Sequence, residues 1–264
     1  HLKSEVDYRT KELADSNMKL ESMNKELQSF AYISSHDLQE PLRKIQMFAE
    51  VLMDREYDNL SKTGKAKFEK IQSAANRMQS LINDLLAYSR TDTEKRVFEL
   101  IDLKTVIEEV ENDLGEELVK KQGKIEVLSS CNIEVVPFQF RQLIYNLISN
   151  SVKYSKSDVP PVIKIECATI VGSDGDNQLL VAGKSYAKIT ITDNGIGFDK
   201  QFSEKIFEVF QRLHSKQEYL GTGVGLAIVK KIVQNHNGFI SAHAESGTGA
   251  VFQVIIPSRQ LAIS

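Results

Sequence analysis

The first 57 residues contain no glycine and a single proline, and this stretch most restricts what the chain can form. Apolar residues recur in it every seven positions, at Val6, Leu13, Leu20 and Leu27. A seven-residue apolar repeat is typical of a helix that pairs with another helix in a coiled coil. A lone helix of this length would extend about 85 Å, at about 1.5 Å per residue, without support. The sequence therefore favours a parallel two-stranded coiled coil over a single solvated amphipathic helix.

A polar break over residues 54–63 separates this helix from a second helical pattern between about Lys65 and Tyr88. Its apolar residues recur at helical spacing, at Phe68, Ile71, Ala75, Met78, Leu81, Ile82 and Leu85. Two such helices form an all-α helical hairpin, and two hairpins that associate through their apolar stripes form a dimeric four-helix bundle. We therefore expect a homodimer. Residues 89–96, which include no apolar side chain, are the predicted hinge.

From about Val97 onwards, helical and strand patterns alternate. Helices are predicted at 102–121, 137–154, 203–212 and 224–235, and strands at 124–128, 133–136, 162–171, 186–192, 239–244 and 250–256. This mixture indicates an α+β two-layer sandwich. The chain is thus predicted to be multidomain, with an N-terminal coiled coil at 1–28, a helical hairpin domain at 29–92 and an α+β domain at 93–264.

Composition argues against several classes of protein. A net charge of −3 without a concentrated basic face disfavours a nucleic-acid partner, and no apolar run approaches the roughly 18–20 residues of a membrane span. Cys131 and Cys167 are too few and too isolated for a disulfide framework or a cysteine metal site, so we expect a reducing, cytoplasmic location. Because the chain starts at His1 without a signal-peptide pattern, we interpret it as a fragment whose upstream part is absent.

His36 is the first candidate for chemistry. At about 100° per residue, the apolar residues Leu38 and Ile45 lie about 200° and 180° from His36 around the helix axis. The apolar stripe is therefore on the opposite side of the helix, and we expect the imidazole to point outward. A neutral imidazole is a competent nucleophile toward phosphorus. The neighbouring Asp37 carboxylate could hold one ring nitrogen protonated and direct the other outward. An ordinary surface histidine is the alternative. Pro41 would bend the helix close by.

Three further segments are candidates for a binding site. Asn146, Asn150 and Lys153 share one helix face, where amide oxygens suit Mg²⁺ and an ammonium suits phosphate. Asp193–Phe198 follows a strand, and its carboxylate could accept a hydrogen bond from an exocyclic amino group. Gly221–Leu226 opens a helix with three glycines, which exposes backbone N–H groups to an anion. Each has a simpler alternative, respectively a polar helix face, an Asn-Gly turn and a flexible loop.

In this order and at this spacing, the segments resemble those of the sensor histidine kinases of two-component systems. Residues 36–43 are similar to the phosphoacceptor box, in the variant of phytochrome-like and PAS-linked kinases. Residues 146–154 resemble the N box, 193–197 the G1 box, 207–212 the F box, 221–226 the G2 box and 247–249 the final glycine motif. The similarity spans nearly the whole chain.

The resemblance implies an ATP-dependent protein-histidine kinase with a Bergerat (GHKL) ATP-binding fold at 93–264. On this resemblance, residues 1–28 would form a coiled-coil signalling helix. Residues 29–92 would form a dimerisation and histidine phosphotransfer domain. The kinase would phosphorylate His36 within a homodimer and pass the phosphoryl group to an aspartate of a response regulator receiver domain. A sensor domain would lie upstream of this fragment. The alternatives are a GHKL-type ATPase, which would need a water-activating Glu that residues 141–146 lack, and a non-enzymatic nucleotide-binding scaffold.

The resemblance also implies roles for individual residues. Asn150 would ligate Mg²⁺ with support from Asn146, Lys153 would contact phosphate, and Tyr154 would pack near the nucleotide. Asp193 would accept a hydrogen bond from the adenine amino group, with Gly195 and Gly197 leaving room. Gly221, Gly223 and Gly225 would hinge the ATP lid and cradle phosphates. Thr222 and Leu226 would also bind the nucleotide, and Arg212 would reach the γ-phosphate.

Glu40 departs from the family pattern. Many members carry Thr or Asn four residues after the histidine, where it positions water for phosphatase activity. Glu40 is bulkier and anionic, so we expect no phosphatase activity of the usual kind. The simpler interpretation is that Glu40 pairs with Arg43 or Lys44.

Overall fold

The computed structural model describes residues 2–90, 97–172, 180–213 and 222–259. The chain divides into two compact units, His1–Arg90 and Thr91–Ser264. The first unit is a helical hairpin and the second is an α+β domain. The predicted combination of an all-α region followed by a two-layer α+β region is confirmed.

The hairpin unit consists of helix α1 (Leu2–Glu56), a 3₁₀ turn (Tyr57–Asn59) and helix α2 (Lys62–Arg90). The prediction of one long helix over residues 1–57 is confirmed, with Pro41 inside it. The side chains of Leu13, Leu20 and Leu27 lie outside the described residues, so the coiled-coil seam stays a prediction. Of the predicted hinge, residues 89 and 90 belong to α2, and residues 91–96 also lie outside the described residues.

The hairpin has a small core of its own. Leu42 of α1 packs with Ala75 and Ile82 of α2, and Leu86 lies against them. A second set of apolar side chains on the two helices is roughly half-exposed in the single chain, namely Leu38, Ile45, Phe48, Leu52, Ile71 and Met78. One hairpin therefore buries only part of the apolar surface that its sequence provides.

The second unit contains two sheets and four helices within its described residues. Strands β1 (Glu99–Asp102) and β3 (Asn132–Val135) form an antiparallel pair. The main sheet has the order β2-β4-β5-β7-β6, with β2 parallel to β4 and all other pairs antiparallel. Its strands are β2 (Lys124–Val127), β4 (Val162–Val171), β5 (Ser185–Asp193), β6 (Phe239–Glu245) and β7 (Gly249–Pro257).

The helices of this unit are α3 (Leu103–Asp113), α4 (Gly115–Lys121), α5 (Pro137–Lys153) and α6 (Gly225–Asn235). Strand side chains alternate between buried and more exposed positions, as in Ile163 and Ile165 of β4, because successive residues point to opposite faces of a sheet. Helices α5 and α6 pack together and bury Leu147 and Ile228 completely. The unit therefore has one apolar core between a sheet and a helical layer.

Two predicted helices need correction. The helix predicted at 102–121 is two helices, because Leu114 separates α3 from α4. It also begins one residue later than predicted. Asp102 ends β1 and caps α3 by accepting a hydrogen bond from the Lys104 N–H at 3.0 Å.

The helix predicted at 203–212 is wrong. That region contains only a short 3₁₀ turn at Lys205–Phe207, and Phe210 takes a left-handed conformation while its N–H donates to the Gly223 carbonyl oxygen at 2.9 Å.

The end of α6 is tied to the start of α5 by a fully buried histidine. His236 Nε2 accepts a hydrogen bond from the Val136 N–H at 3.0 Å, and its Nδ1 lies 2.7 Å from the Ile232 carbonyl oxygen, to which it donates. The Phe98 ring packs edge-on against the imidazole. Both ring nitrogens are thus satisfied within the core, so this histidine has a structural role.

Cys131 and Cys167 form one disulfide with a Cα–Cα distance of 5.8 Å. The sequence, in which the two cysteines are too few and too isolated for a disulfide framework, did not predict this pair. Cys131 lies in the β2–β3 loop, and Cys167 lies in β4. The loop approaches β4 because the Ser129 hydroxyl donates to the Cys167 carbonyl oxygen at 2.9 Å. The argument from isolated cysteines to a reducing compartment therefore no longer holds.

We expect reduction of this disulfide to lower the free energy of unfolding of the second unit. The bond joins residues 36 apart, and a cross-link over such a loop contributes up to about 4 kcal/mol by restricting the unfolded chain. Urea unfolding followed by circular dichroism, with and without a phosphine reductant, measures the effect. A variant with both cysteines replaced by serine is the control and should not respond. Equal stability of the oxidised and reduced wild-type protein would contradict the prediction.

Candidate functional site

A partly buried carboxylate lines a cleft in the second unit. Asp193, the last residue of β5, accepts hydrogen bonds at Oδ1 from the Gly195 N–H at 2.9 Å and from the Ala250 N–H at 3.1 Å. Its Oδ2 accepts one from the Ser151 hydroxyl at 3.0 Å. The carboxylate thus connects the loop after β5, the start of β7 and helix α5.

Burial raises the pKa of Asp193 above its ordinary value, and the hydrogen bonds from Gly195, Ser151 and Ala250 oppose this rise. Removing water disfavours the charged form, whereas donors directed at the carboxylate favour it. Burial is the larger effect here. The site therefore contains a carboxylate whose charge is only partly compensated by the protein, and a ligand with an N–H donor would add compensation.

A cleft opens beside Asp193. It is lined mainly by apolar side chains, with a few polar groups at one side. The lining includes Asn150, Ser151, Tyr154, Asp193, Gly197, Phe198, Ile206, Gln211, Arg212, Leu213, Leu226, Ala250 and Phe252. Six of the residues singled out from the sequence therefore meet at one cleft: Asn150, Tyr154, Asp193, Gly197, Arg212 and Leu226.

Two glycines allow the backbone to close around Asp193. Gly197 has φ +64°, and a Cβ on it would overlap the Glu245 carbonyl oxygen. Gly249 has φ +111°, and a Cβ there would overlap the carbonyl oxygen of Asp193. Positive φ and such close approach are both costly for any residue with a side chain. Gly249, which belongs to a segment that looks like a plain hairpin turn, thus packs directly against the backbone of Asp193.

Asn146 lies beside the start of α6. Its side chain is buried, and Nδ2 has no hydrogen-bond partner among the described residues. A Cβ on Gly225, the first residue of α6, would lie 3.6 Å from Asn146 Oδ1. A buried donor without a partner costs free energy unless a ligand or water satisfies it. Asn146 Nδ2 is therefore available to a water or to a polar ligand atom near the first turn of α6.

Lys153 does not line the Asp193 cleft. Its Nζ lies 4.6 Å from the centre of the Tyr154 ring, and the residue borders a separate open groove that also includes Lys120, Lys121 and Lys156. In that groove the Lys121 ammonium donates to the Val152 carbonyl oxygen at 2.6 Å, at the C-terminal end of α5. These lysines complement the negative end of the helix dipole.

The remaining candidates are placed as follows. Thr222 Oγ1 accepts a hydrogen bond from the Val224 N–H at 3.3 Å, just before α6, and Gly223 has φ +77°. Gly221 and the side chain of His36 lie outside the described residues. Asp37 is exposed on α1. Glu40 pairs with Lys44 through a 2.9 Å contact, in agreement with the simpler interpretation of Glu40.

Sequence reasoning missed several residues of the cleft. Ser151 and Ala250 both donate to Asp193, and Phe252 lines the cleft. The predicted strand at 250–256 contained a usable signal, because residues 250 and 252 must share a face. Ser151 had none, since its role depends on a residue 42 positions away.

Two family models match the chain. Residues 26–94 match the His Kinase A (phospho-acceptor) domain. Residues 136–260 match the histidine kinase-, DNA gyrase B- and HSP90-like ATPase domain. The first range takes in the helices of the hairpin around His36, and the second takes in the Asp193 cleft.

Curated relatives agree with both matches. The chain is 37% identical over 246 residues to the phytochrome-like protein Cph1 of Synechocystis sp., an alignment that covers 93% of this chain and 31% of that protein. It is 36% identical to cyanobacterial phytochrome A of Nostoc sp., with 93% and 30% covered. The chain thus spans about a third of the length of these relatives.

Among solved structures, full-length ShkA in complex with AMPPNP has a similar fold, with a TM-score of 0.62 and 21% identity over 88% of this chain and 46% of that one. The histidine kinase AdeS of Acinetobacter baumannii has a TM-score of 0.54 and 18% identity over 85% and 98% of the two chains. A phospho-acceptor hairpin and an ATPase-type domain in one chain define the class of histidine kinases. This chain belongs to the sensor histidine kinases, and its relatives include the phytochrome-like members.

No helix in the described parts of the chain combines the length and the apolar character needed to cross a membrane.

The raised pKa of Asp193 predicts how Asp193→Asn changes stability with pH. Below about pH 4, the ordinary pKa of an unfolded aspartate, Asp193 is neutral in both states. As pH rises through its higher folded-state pKa, the buried group must ionise, and its stabilising contribution is lost. We therefore expect the stability of the wild type relative to Asp193→Asn to fall between pH 4 and pH 7.

Urea unfolding of both proteins across this pH range measures the difference. Circular dichroism is the suitable signal because the chain has no tryptophan. Other titrating groups are shared by the two proteins and cancel. A relative stability that increases with pH would mean that the three hydrogen bonds outweigh burial, and would contradict the prediction.

Proposed function

We propose that this chain is an ATP-dependent, autophosphorylating protein-histidine kinase that transfers the γ-phosphoryl group of ATP to His36. From His36 the group passes to an aspartate of a response regulator receiver domain in two-component signal transduction. The observation that supports this most directly is the cleft where Asp193, Asn150 and Tyr154 converge, in a chain whose hairpin matches a phospho-acceptor domain.

Adenine recognition follows from the chemistry of the cleft. The Asp193 carboxylate is buried and can accept a hydrogen bond from an exocyclic amino group. Apolar side chains such as Ile206, Leu226 and Phe252 provide the walls for a flat ring. The structural relative ShkA was solved with AMPPNP, an ATP analogue, which supports ATP as the nucleotide of this site as well.

The residues near the first turn of α6 fit a triphosphate with Mg²⁺. Asn150 would ligate the metal through its amide oxygen, the ligand type that Mg²⁺ accepts together with substrate phosphates. The unpaired Nδ2 of Asn146 would donate to a phosphate oxygen or a metal-bound water. Phosphate oxygens of the nucleotide would supply further ligands. Mg²⁺ would neutralise phosphate charge.

At the hairpin, one imidazole nitrogen of His36 attacks the γ-phosphorus, and the bond to the ADP oxygen breaks. The other nitrogen keeps its proton, and Asp37 stabilises the positive charge that develops on the ring. Position 36 shares a helix face with Glu40 and Arg43, which are exposed. A phosphoryl donor could therefore reach that face of the helix.

The half-exposed apolar stripe of the hairpin supports a homodimer. Leu38, Ile45 and Leu52 are seven residues apart on α1, and Ile71 and Met78 are seven apart on α2. Two hairpins that associate through these residues would form a four-helix bundle. We assign residues 1–28 to a coiled-coil signalling helix, 29–92 to dimerisation and phosphotransfer, and 93–264 to ATP binding. Dependence on ATP favours a cytoplasmic location for this part of the protein.

Incubation with γ-labelled ATP and Mg²⁺ tests the proposal. We expect wild-type protein to acquire label that is acid-labile and alkali-stable, as in a phosphoramidate. His36→Gln should abolish labelling without changing ATP affinity, because the described residues that line the cleft belong to the second unit.

Asp193→Asn should weaken ATP binding about 10- to 100-fold by removing a charged hydrogen-bond acceptor.

Label that persists in His36→Gln would overturn the assignment of the phosphoacceptor. Steady hydrolysis of ATP without labelled protein would favour a GHKL-type ATPase. Unchanged ATP affinity in Asp193→Asn would mean that the adenine contact lies elsewhere.

Ile45→Asp should weaken the homodimer at least tenfold in dissociation constant, since a charge would be transferred into an apolar interface on each chain (about 1.4 kcal/mol per tenfold). Analytical ultracentrifugation of the full chain measures this. Val119→Asp is the matched control, because Val119 is an exposed apolar residue of the second unit. A monomeric wild type, or an unchanged Ile45→Asp dimer, would contradict the proposed interface.

A further inference from the structure

Two pairs of amide side chains link α1 to α2 within the hairpin. Gln39 Nε2 donates to Asn83 Oδ1 at 3.2 Å, and Gln46 Nε2 donates to Asn76 Oδ1 at 3.0 Å. On each helix the two members are seven residues apart, so both pairs lie along one seam of the hairpin, about two turns from each other. Gln79 also donates to Asn83 Oδ1, at 3.0 Å, and so helps to hold that acceptor in place.

These pairs supply directional contacts that the hairpin core lacks. Among the described side chains, Leu42, Ala75 and Ile82 form this core, with Leu86 packed against it. Apolar contact is less directional than a hydrogen bond, so it restrains rotation of α1 about its own axis less tightly. A hydrogen bond between amides weakens steeply when its angle or distance departs from the optimum. Each amide pair therefore limits the local rotation of α1 against α2 at its own level of the hairpin.

Rotation matters because Gln39 lies three residues after His36, within one turn of the same helix. A side-chain atom about 6 Å from the helix axis moves about 1 Å when the helix rotates by about 10°. A misplacement of about 1 Å can reduce the rate of an oriented reaction up to about 100-fold. The pair at Gln39 is thus close enough in sequence to control where position 36 is presented.

We propose that the Gln39–Asn83 pair is a positioning device for phosphorylation of His36. The inference rests on the proposed function, because it requires His36 to be the phosphoacceptor. Gln39 acts through the orientation of α1 and does not contact the reacting atoms. The Gln46–Asn76 pair, two turns further along the hairpin, stabilises the same seam without setting the local orientation at position 36.

The test compares Gln39→Leu with Gln46→Leu in the full chain, by initial rates of His36 labelling over a range of ATP concentrations. Each variant loses one amide–amide hydrogen bond at the same kind of position, so both should show a similar decrease in Tm. We expect Gln39→Leu to lower kcat about 10- to 100-fold with an unchanged KM for ATP. Gln46→Leu should leave kcat unchanged.

An exchange variant, Gln39→Asn with Asn83→Gln, keeps the combined length of the two side chains and should restore most of kcat. The inference is overturned if Gln39→Leu labels at the wild-type rate, if both leucine variants lose kcat in proportion to Tm, or if the exchange does not restore activity. Absence of labelling in the wild type would overturn the proposed function and this inference together. Normal wild-type labelling with an insensitive Gln39→Leu would overturn this inference alone.

Discussion

The partly buried carboxylate of Asp193 is the contact that joins the separate segments around the cleft of the second unit. Of the three donors that converge on it, two come from segments far apart in sequence, the Ser151 hydroxyl 42 residues away and the Ala250 N–H 57 residues away. The sheet order makes this possible, because β5 and β7 are neighbours although β6 lies between them in the chain. Helix α5 completes the arrangement through Ser151.

This arrangement is not optimal for stability. Burial raises the pKa of Asp193 despite three hydrogen bonds, and Gly249 must adopt a positive φ so that its backbone can pass the Asp193 carbonyl group. An apolar side chain in place of Asp193 would avoid the cost of burying a charge. Sites that keep such costs are commonly those whose electrostatics serve a ligand. The unpaired Nδ2 of Asn146 is a second cost of the same kind.

Local patterns in the sequence were sufficient for most of the fold. Strand β4 is predicted with its observed bounds, because apolar and polar residues alternate along it and only one face of the strand is buried. The predicted helix at 203–212 fails because Ile206 and Phe207 are buried by tertiary contacts, and the adjoining chain bends to meet Gly223. Pairings between distant residues, such as Cys131 with Cys167, leave no periodic signal.

The two units orient their functional side chains by different physical means. In the second unit a large apolar core fixes the backbone, and directional groups such as Asp193 are added inside it, where low polarity strengthens each hydrogen bond. In the hairpin the described side chains form a smaller apolar core, and the amide pair that we propose as a positioning device, Gln39 with Asn83, lies at its surface. Association of two hairpins would cover the apolar stripe and part of the surrounding surface, which would exclude water from neighbouring hydrogen bonds. Dimerisation would then strengthen the directional contacts as well as add apolar burial, and the presentation of position 36 would depend on it.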